Sequence, residues 1–160
     1  MAGNENTVHT PLRMPVPWVF AIAYVAGLAV QFLIPSYAVS AGLQLGLYSI
    51  GILILAVGVM LAVWGQWLFR KARTTTVPGE ISSSLVTSGP YRFSRNPMYL
   101  GLFLFFAGLS VASDSVWSVM LLVAVLAYVN LYVVPIEEKQ LTASFGDAYE
   151  RYRERVRRWI

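Results

Sequence analysis

From Met14 to Phe69 the chain carries no charged side chain, and from Pro97 to Pro135 it carries one, Asp114. Each run exceeds the roughly 20 apolar residues with which a helix crosses a bilayer. A backbone in hydrocarbon must satisfy its own N–H and C=O groups, and a helix does this within one segment. Only 12% of the 160 residues are charged, about half of what soluble domains carry. The reading is an all-α integral membrane protein forming a single membrane domain over residues 1–160.

Four transmembrane helices are expected. The first runs from about Pro17 to Ile34, ended by Pro35, and the second from about Ala41 to Phe69. The third, about Pro97 to Ala112, is short. The fourth covers about Val116 to Val134, and Pro135 is expected to kink it as it leaves the bilayer. Residues 1–16 form an N-terminal tail, and residues 17–84 hold spans one and two with the start of the central loop. Residues 85–160 hold spans three and four and the C-terminal helices.

Orientation follows from the basic residues. Arg70, Lys71, Arg73, Arg92 and Arg95 lie between spans two and three, Arg13 precedes span one, and five arginines from Arg151 to Arg158 follow span four. The turns around Ser36 and Ser113 have none. The positive-inside rule then puts both termini and the central loop in the cytoplasm, in a cytoplasmic (inner) membrane. The arginine-rich tail reads as a face toward anionic membrane lipids rather than a nucleic-acid site. Arg13, an apolar run and Ala38, Ser40 and Ala41 outline a cleavable signal, but the run is longer than a signal core. It is kept as the first span.

Within span two, Gly51, Gly58 and Gly65 recur every seven residues and predict close helix packing on one face, with Gly42 and Gly46 as a second small pair. Trp18, Trp64, Trp67 and Trp117 fall near span ends, as interfacial aromatics do. Beyond Pro135 an amphipathic cytoplasmic helix carries Glu138, Leu141 and Phe145. Gly146 ends it, and Asp147 is expected to cap another helix with Tyr149, Tyr152 and Val156 on one face. That segment could fold back over the central loop as a lid.

The chain contains no cysteine and one histidine, His9, in the polar tail. Disulfides, thiolate chemistry and a metal site are therefore not expected. What remains for chemistry is polar material at span borders. Arg95-Asn96-Pro97-Met98-Tyr99 opens span three, where Pro97 suits the first helical turn. Free backbone N–H groups there, with Arg95, would bind a carboxylate or phosphate; alternatively, Arg92 and Arg95 snorkel to lipid phosphates. Glu137 and Glu138 stand side by side where span four ends. They repel each other and attract no anionic lipid, so they either pair with Arg92 or Arg95 or hold a ligand's amine and hydroxyl groups. Asn130 lies about two turns before Glu137 on the same face and reads first as a helix–helix hydrogen bond. Asp114 reads as a turn or cap.

The blocks LVTSGPYRFSRNPMYLG (Leu85 to Gly101) and EEKQLTASFGDAYERYRERV (Glu137 to Val156), in this order around a helix hairpin, resemble the isoprenylcysteine carboxyl methyltransferase family. They are also similar to the membrane phospholipid N-methyltransferases. The resemblance covers Leu85 to Trp159. It implies a membrane-embedded methyltransferase that uses S-adenosylmethionine, with a cofactor pocket built from Arg95, Asn96, Pro97, Tyr99, Glu137 and Glu138, and more weakly Tyr149 and Arg155. Arg95, Glu138 and Arg155 are the implied catalytic candidates. Asn96 stands where the family's block has a histidine, Ser83 stands where prenylcysteine enzymes tend to have another, and the Gly-x-Gly associated with the phospholipid enzymes is missing.

The residue chemistry suits that cofactor. Arg95 can take its carboxylate, a glutamate its ribose diol or ammonium, and Tyr99 or Tyr149 can face its sulfonium. The implied partner is a lipophilic small-molecule or lipid substrate entering laterally from the bilayer. A carboxylate acceptor, as on a prenylcysteine-like compound, would need a cation such as Arg155. An amine acceptor, as on a phospholipid, would need a carboxylate to receive its proton. Both residue types are present. A non-catalytic membrane scaffold that retains the fold is the alternative from another class.

Overall fold

The computed structural model describes residues 15–35, 41–72 and 84–160. His9, Arg13, Ser36, Ala38, Ser40, Arg73 and Ser83 lie outside the described residues. Among the described residues every regular element is helical: α1 (Val16–Leu33), α2 (Ala41–Lys71), a 3₁₀ turn (Gly89–Arg92), α3 (Pro97–Ala112), α4 (Val116–Tyr128), α5 (Val134–Phe145) and α6 (Asp147–Arg155). A π-turn over Val129–Val133 joins α4 to α5 without a break.

Of the four expected spans, three are helices long and apolar enough to cross a membrane: Val16–Leu33, Gly42–Lys71 and the continuous Val116–Phe145. The remaining one, Pro97–Ala112, is a shorter apolar helix. Their outward faces stay apolar, with Phe32 86% exposed, as contact with hydrocarbon rather than water allows.

Helix α3 sits centrally, packed along α2 and flanked by α1 and α4. The α2–α3 seam is made by glycines. A Cβ at Gly58 would meet the Phe105 nitrogen at 2.4 Å and the Gly101 oxygen at 2.7 Å. A Cβ at Gly51 would meet the Ala112 nitrogen at 2.6 Å, and one at Gly65 the Met98 side chain at 2.7 Å. The seven-residue repeat is thus a packing face. Its reciprocal glycines on α3, Gly101 and Gly108, complete the seam. Gly42 and Gly46 have nothing within 4 Å and pack on nothing among the described residues. On the other side Phe20 of α1 stacks on Phe106 of α3 at 5.7 Å, over a buried row of Leu122, Val125 and Val129.

At the far end, Asp114 takes a left-handed turn conformation (φ 49°), which Asp tolerates better than most residues. The α4 cap is its neighbour Ser115, whose side chain accepts from the Ser118 nitrogen.

At Pro135 the helix continues, to Phe145, and two expectations beyond it are corrected. Proline lacks an N–H and its ring clashes with the carbonyl four residues back. The π-turn immediately ahead, closed by the Val134 N–H on the Val129 oxygen, accommodates the proline by widening one turn. Asp147 is not a cap: Gly146, at φ 50°, both ends α5 and precedes α6, and Asp147 is the first residue of α6. Val156 lies past the end of α6 in extended conformation, so the buried face consists of Tyr149 and Tyr152.

Candidate functional site

The segment before α3 is held from both directions. The Tyr91 nitrogen donates to the Ser88 oxygen and the Phe93 and Ser94 nitrogens to the Pro90 oxygen, a tight turn that buries Pro90 and Tyr91. From outside, the chain after α6 returns across it. The Arg95 nitrogen donates to the Arg157 oxygen at 3.0 Å. The Ser94 hydroxyl and Asn96 amide donate to the Arg158 oxygen at 3.3 and 3.0 Å, and the Tyr152 hydroxyl to the Tyr91 oxygen at 2.7 Å. The sequence expectation that the C-terminal segment folds over the central loop holds at these bonds.

This arrangement fixes the Arg95 side chain against α5. Its Nη1 lies 2.9 Å from Oε1 of Glu138, with the two side chains only 11% and 14% exposed. Arg95 also donates to the Tyr149 hydroxyl at 3.3 Å, while its Nε–H is buried with no hydrogen-bond partner. Glu138 has a second cation: Arg158 donates through Nη2 to Oε2 at 2.6 Å and through Nε to Oε1 at 3.1 Å, a forked contact. Glu137 turns elsewhere and accepts from the Tyr99 hydroxyl at 2.5 Å. Asn130 accepts from the Trp159 indole at 2.9 Å and, at longer range, from Arg158 at 3.5 Å. Burial raises the titration of the Tyr149, Tyr152 and Tyr91 phenols, with the Arg95 hydrogen bond opposing the rise at Tyr149. All three therefore stay protonated at neutral pH.

The structure brings together Arg95, Glu138 and Tyr149, with Asn96 attached through Arg158 and with Tyr99 on Glu137. Pro97 is buried at the first turn of α3. Arg155 is not brought in: it is exposed, and its Nε donates to the Arg151 oxygen of its own helix. Arg92 is exposed as well. The guanidinium that reaches the cluster is Arg158, which the sequence reading leaves in the lipid-facing tail. Asn130 shares its face with Glu138 rather than Glu137, since Arg158 reaches both. With plain α-geometry of about 100° per residue, Glu137 would align with Asn130 and Glu138 would be about 80° away. The π-turn over Val129–Val133, in which Asn130 itself sits, absorbs about one residue before the glutamates and exchanges the two. A proline five residues past Asn130 was the only signal for this in the sequence.

An open cleft of about 460 Å³ is lined by Leu68, Lys71, Ala72 and the segment from Ser84 to Ser88. None of the charged cluster lines it.

The phospholipid methyltransferase family model matches residues 47–148, which include α3, α4, α5 and both glutamates. This chain belongs to the phospholipid methyltransferase family. The match starts within α2 and ends in α6, so it covers the glycine seam and, of the charged cluster, Arg95 and Glu138 but not Tyr149 or Arg158. A relative within reach is a protein-S-isoprenylcysteine O-methyltransferase of Schizosaccharomyces pombe, 36% identical over 72 residues. That alignment covers 45% of this chain and 30% of the relative, so this chain spans less than a third of the relative's length in the matched region. No solved structure matches the chain. Family membership and three long apolar helices together make it an integral membrane protein.

Proposed function

We propose that this chain is a methyltransferase that takes its methyl group from S-adenosylmethionine and acts on a lipophilic acceptor. The observation that carries this reading is the buried Arg95–Glu138 contact at 2.9 Å, which joins the two polar blocks of a family member into one site. The donor set suits the cofactor's polar end. The unpartnered, buried Nε–H of Arg95 is the kind of group that a ligand carboxylate satisfies. When bound, S-adenosylmethionine supplies an electrophilic methyl group on a sulfonium.

The chain's own residues bind and align. Arg95 holds the carboxylate end, and Tyr149 steadies Arg95. Glu138, whose two oxygens offer about four acceptor positions, retains capacity for an ammonium or hydroxyl beside its two arginines. Asn96 and Pro97 shape the wall at the start of α3, and Tyr99 with Glu137 forms the opposite polar edge. Displacement at a methyl group needs no covalent nucleophile. It needs acceptor and donor held in line with water excluded, and the returning C-terminal segment supplies the cover.

Both carboxylates are already engaged, Glu138 by two guanidiniums and Glu137 by a phenol. An amine acceptor needs a carboxylate to take its proton, whereas a carboxylate acceptor needs only a cation and no strong base. The name of the relative, an O-methyltransferase, supports an oxygen acceptor such as a carboxylate on a lipophilic molecule, reaching the site laterally from the bilayer. In this reading α3 counts as a fourth span, both termini are cytoplasmic, and the membrane is the inner one, following the positive-inside pattern.

Calorimetric titration of S-adenosylhomocysteine into detergent-purified protein tests the cofactor. Micromolar binding by the wild type that disappears in Arg95→Ala and Glu138→Ala is expected. No binding by folded wild type would leave a non-catalytic scaffold. Methyl-labelled cofactor with membrane lipid extract then tests the acceptor: a base-labile product is an ester, and a base-stable methylated headgroup would replace the carboxylate assignment with a phospholipid amine.

A further inference from the structure

We propose that Arg158 is a ligand-binding residue of this site, forming with Arg95 a guanidinium pair that receives the carboxylate of an amino-acid-bearing ligand. The inference rests on the methyltransferase reading and adds a residue that the sequence motifs do not assign.

The first argument is how the residue is held. Three successive positions are tied to three different parts of the fold. The Arg157 oxygen accepts from the Arg95 nitrogen, the Arg158 oxygen accepts from Ser94 and Asn96, and the Trp159 indole donates to Asn130. An arginine whose task is to meet lipid phosphate needs no such fixing, and exposed ion pairs contribute little to stability. Here the fork faces inward to Glu138, and the side chain is 35% exposed. It is therefore aligned yet still reachable.

The second argument is charge. Two guanidiniums share the single carboxylate of Glu138, so that trio carries one uncompensated positive charge. The neighbouring Glu137 is committed to Tyr99. Arg158 has five N–H donors, and Glu138 and Asn130 engage three of its nitrogens, the last at 3.5 Å. Further N–H donors remain on both arginines, including the buried Nε–H of Arg95. Glu138 acts as the common anchor that holds two forks together, and a second carboxylate is what that geometry lacks. Because Arg95 alone already pairs with Glu138, the second arginine is not needed to neutralise it.

The test compares two nucleoside thioethers that differ only at the far end. S-adenosylhomocysteine carries the amino-acid group and methylthioadenosine does not. With full-length protein in detergent, Arg158→Ala is expected to weaken S-adenosylhomocysteine at least tenfold and to change methylthioadenosine less than twofold. Arg158→Lys keeps a charge but no fork, and should show a smaller loss with the same selectivity, which protects the test should the alanine variant fold poorly. Equal weakening of both ligands would make Arg158 a structural strap and overturn the proposal. Unchanged affinity for both would overturn it too. A wild type that binds neither ligand would instead sink the methyltransferase reading on which the inference stands.

Discussion

Glu138 is the residue on which the cluster depends. It is nearly buried, it is the only carboxylate that Arg95 contacts among the described residues, and it holds Arg158 through both oxygens. Removing one partner of a buried ion pair leaves an uncompensated charge and costs about 3–5 kcal/mol. Glu138→Gln, similar in shape but neutral, should lower the melting temperature in detergent accordingly and abolish S-adenosylhomocysteine binding. A melting temperature unchanged by that substitution would mean that the pair is solvated in the membrane-bound protein. Arg155→Ala provides the contrast: the side chain is exposed and bonded only to its own helix, so stability should move by no more than about 0.5 kcal/mol and binding by less than twofold. Arg95 and Glu138 were legible in the sequence because charge beside hydrocarbon is conspicuous. Arg158 was not, because five arginines between Arg151 and Arg158 look alike until the chain's return singles one out.

At the scale of the elements, the helices were legible to within two residues at α1, α2 and α3 because apolar runs and glycine or proline punctuation mark them. The register inside the last long helix was not, since a π-turn leaves no periodic trace of its own. Its role can be tested by shortening. Leu131 lies in the π-turn and is exposed. Deleting it together with Pro135→Ala lets the turn close to ordinary α-geometry while Glu138 keeps its facing. That variant should bind S-adenosylhomocysteine within about threefold of wild type. Deleting the equally exposed Val123, in regular helix, rotates one half against the other by about 100° and should abolish binding. Similar losses from both deletions would show that the π-turn does not set the register. The glycine seam gives a second contrast. Gly58→Leu places atoms where the α3 backbone already lies, at 2.4 Å, and overpacking of this kind costs about 1–3 kcal/mol. Gly46→Ala, inside α2, faces open space and should gain about 0.5–1 kcal/mol from reduced backbone entropy. Thermal unfolding of the two variants in the same detergent should shift in opposite directions.

The whole molecule poses a question of depth. At 1.5 Å per residue, the 16 residues of α3 extend about 24 Å, less than the roughly 30 Å of hydrocarbon. Its partner in the hairpin is longer: from Val116 to Glu138 is roughly 33 Å along the helix. If the turn at Ser113 reaches the far border, the start of α3 lies below the near border while Glu138 stands about level with it. The Arg95–Glu138–Arg158 cluster would then sit at the depth where a lipid-anchored acceptor presents its polar end, and the returning C-terminal segment would separate it from bulk water. If α3 and α4 instead formed a re-entrant hairpin, Ser113 would return toward the side of α6. The chain contains no cysteine, so single substitutions report cleanly. Ala148→Cys in α6 and Ser113→Cys at the hairpin turn, both exposed, can be challenged with a membrane-impermeant maleimide in sealed vesicles of each orientation. Labelling of Ala148→Cys only in inside-out vesicles and of Ser113→Cys only in right-side-out vesicles is expected. Labelling of both from the same face would remove the fourth span.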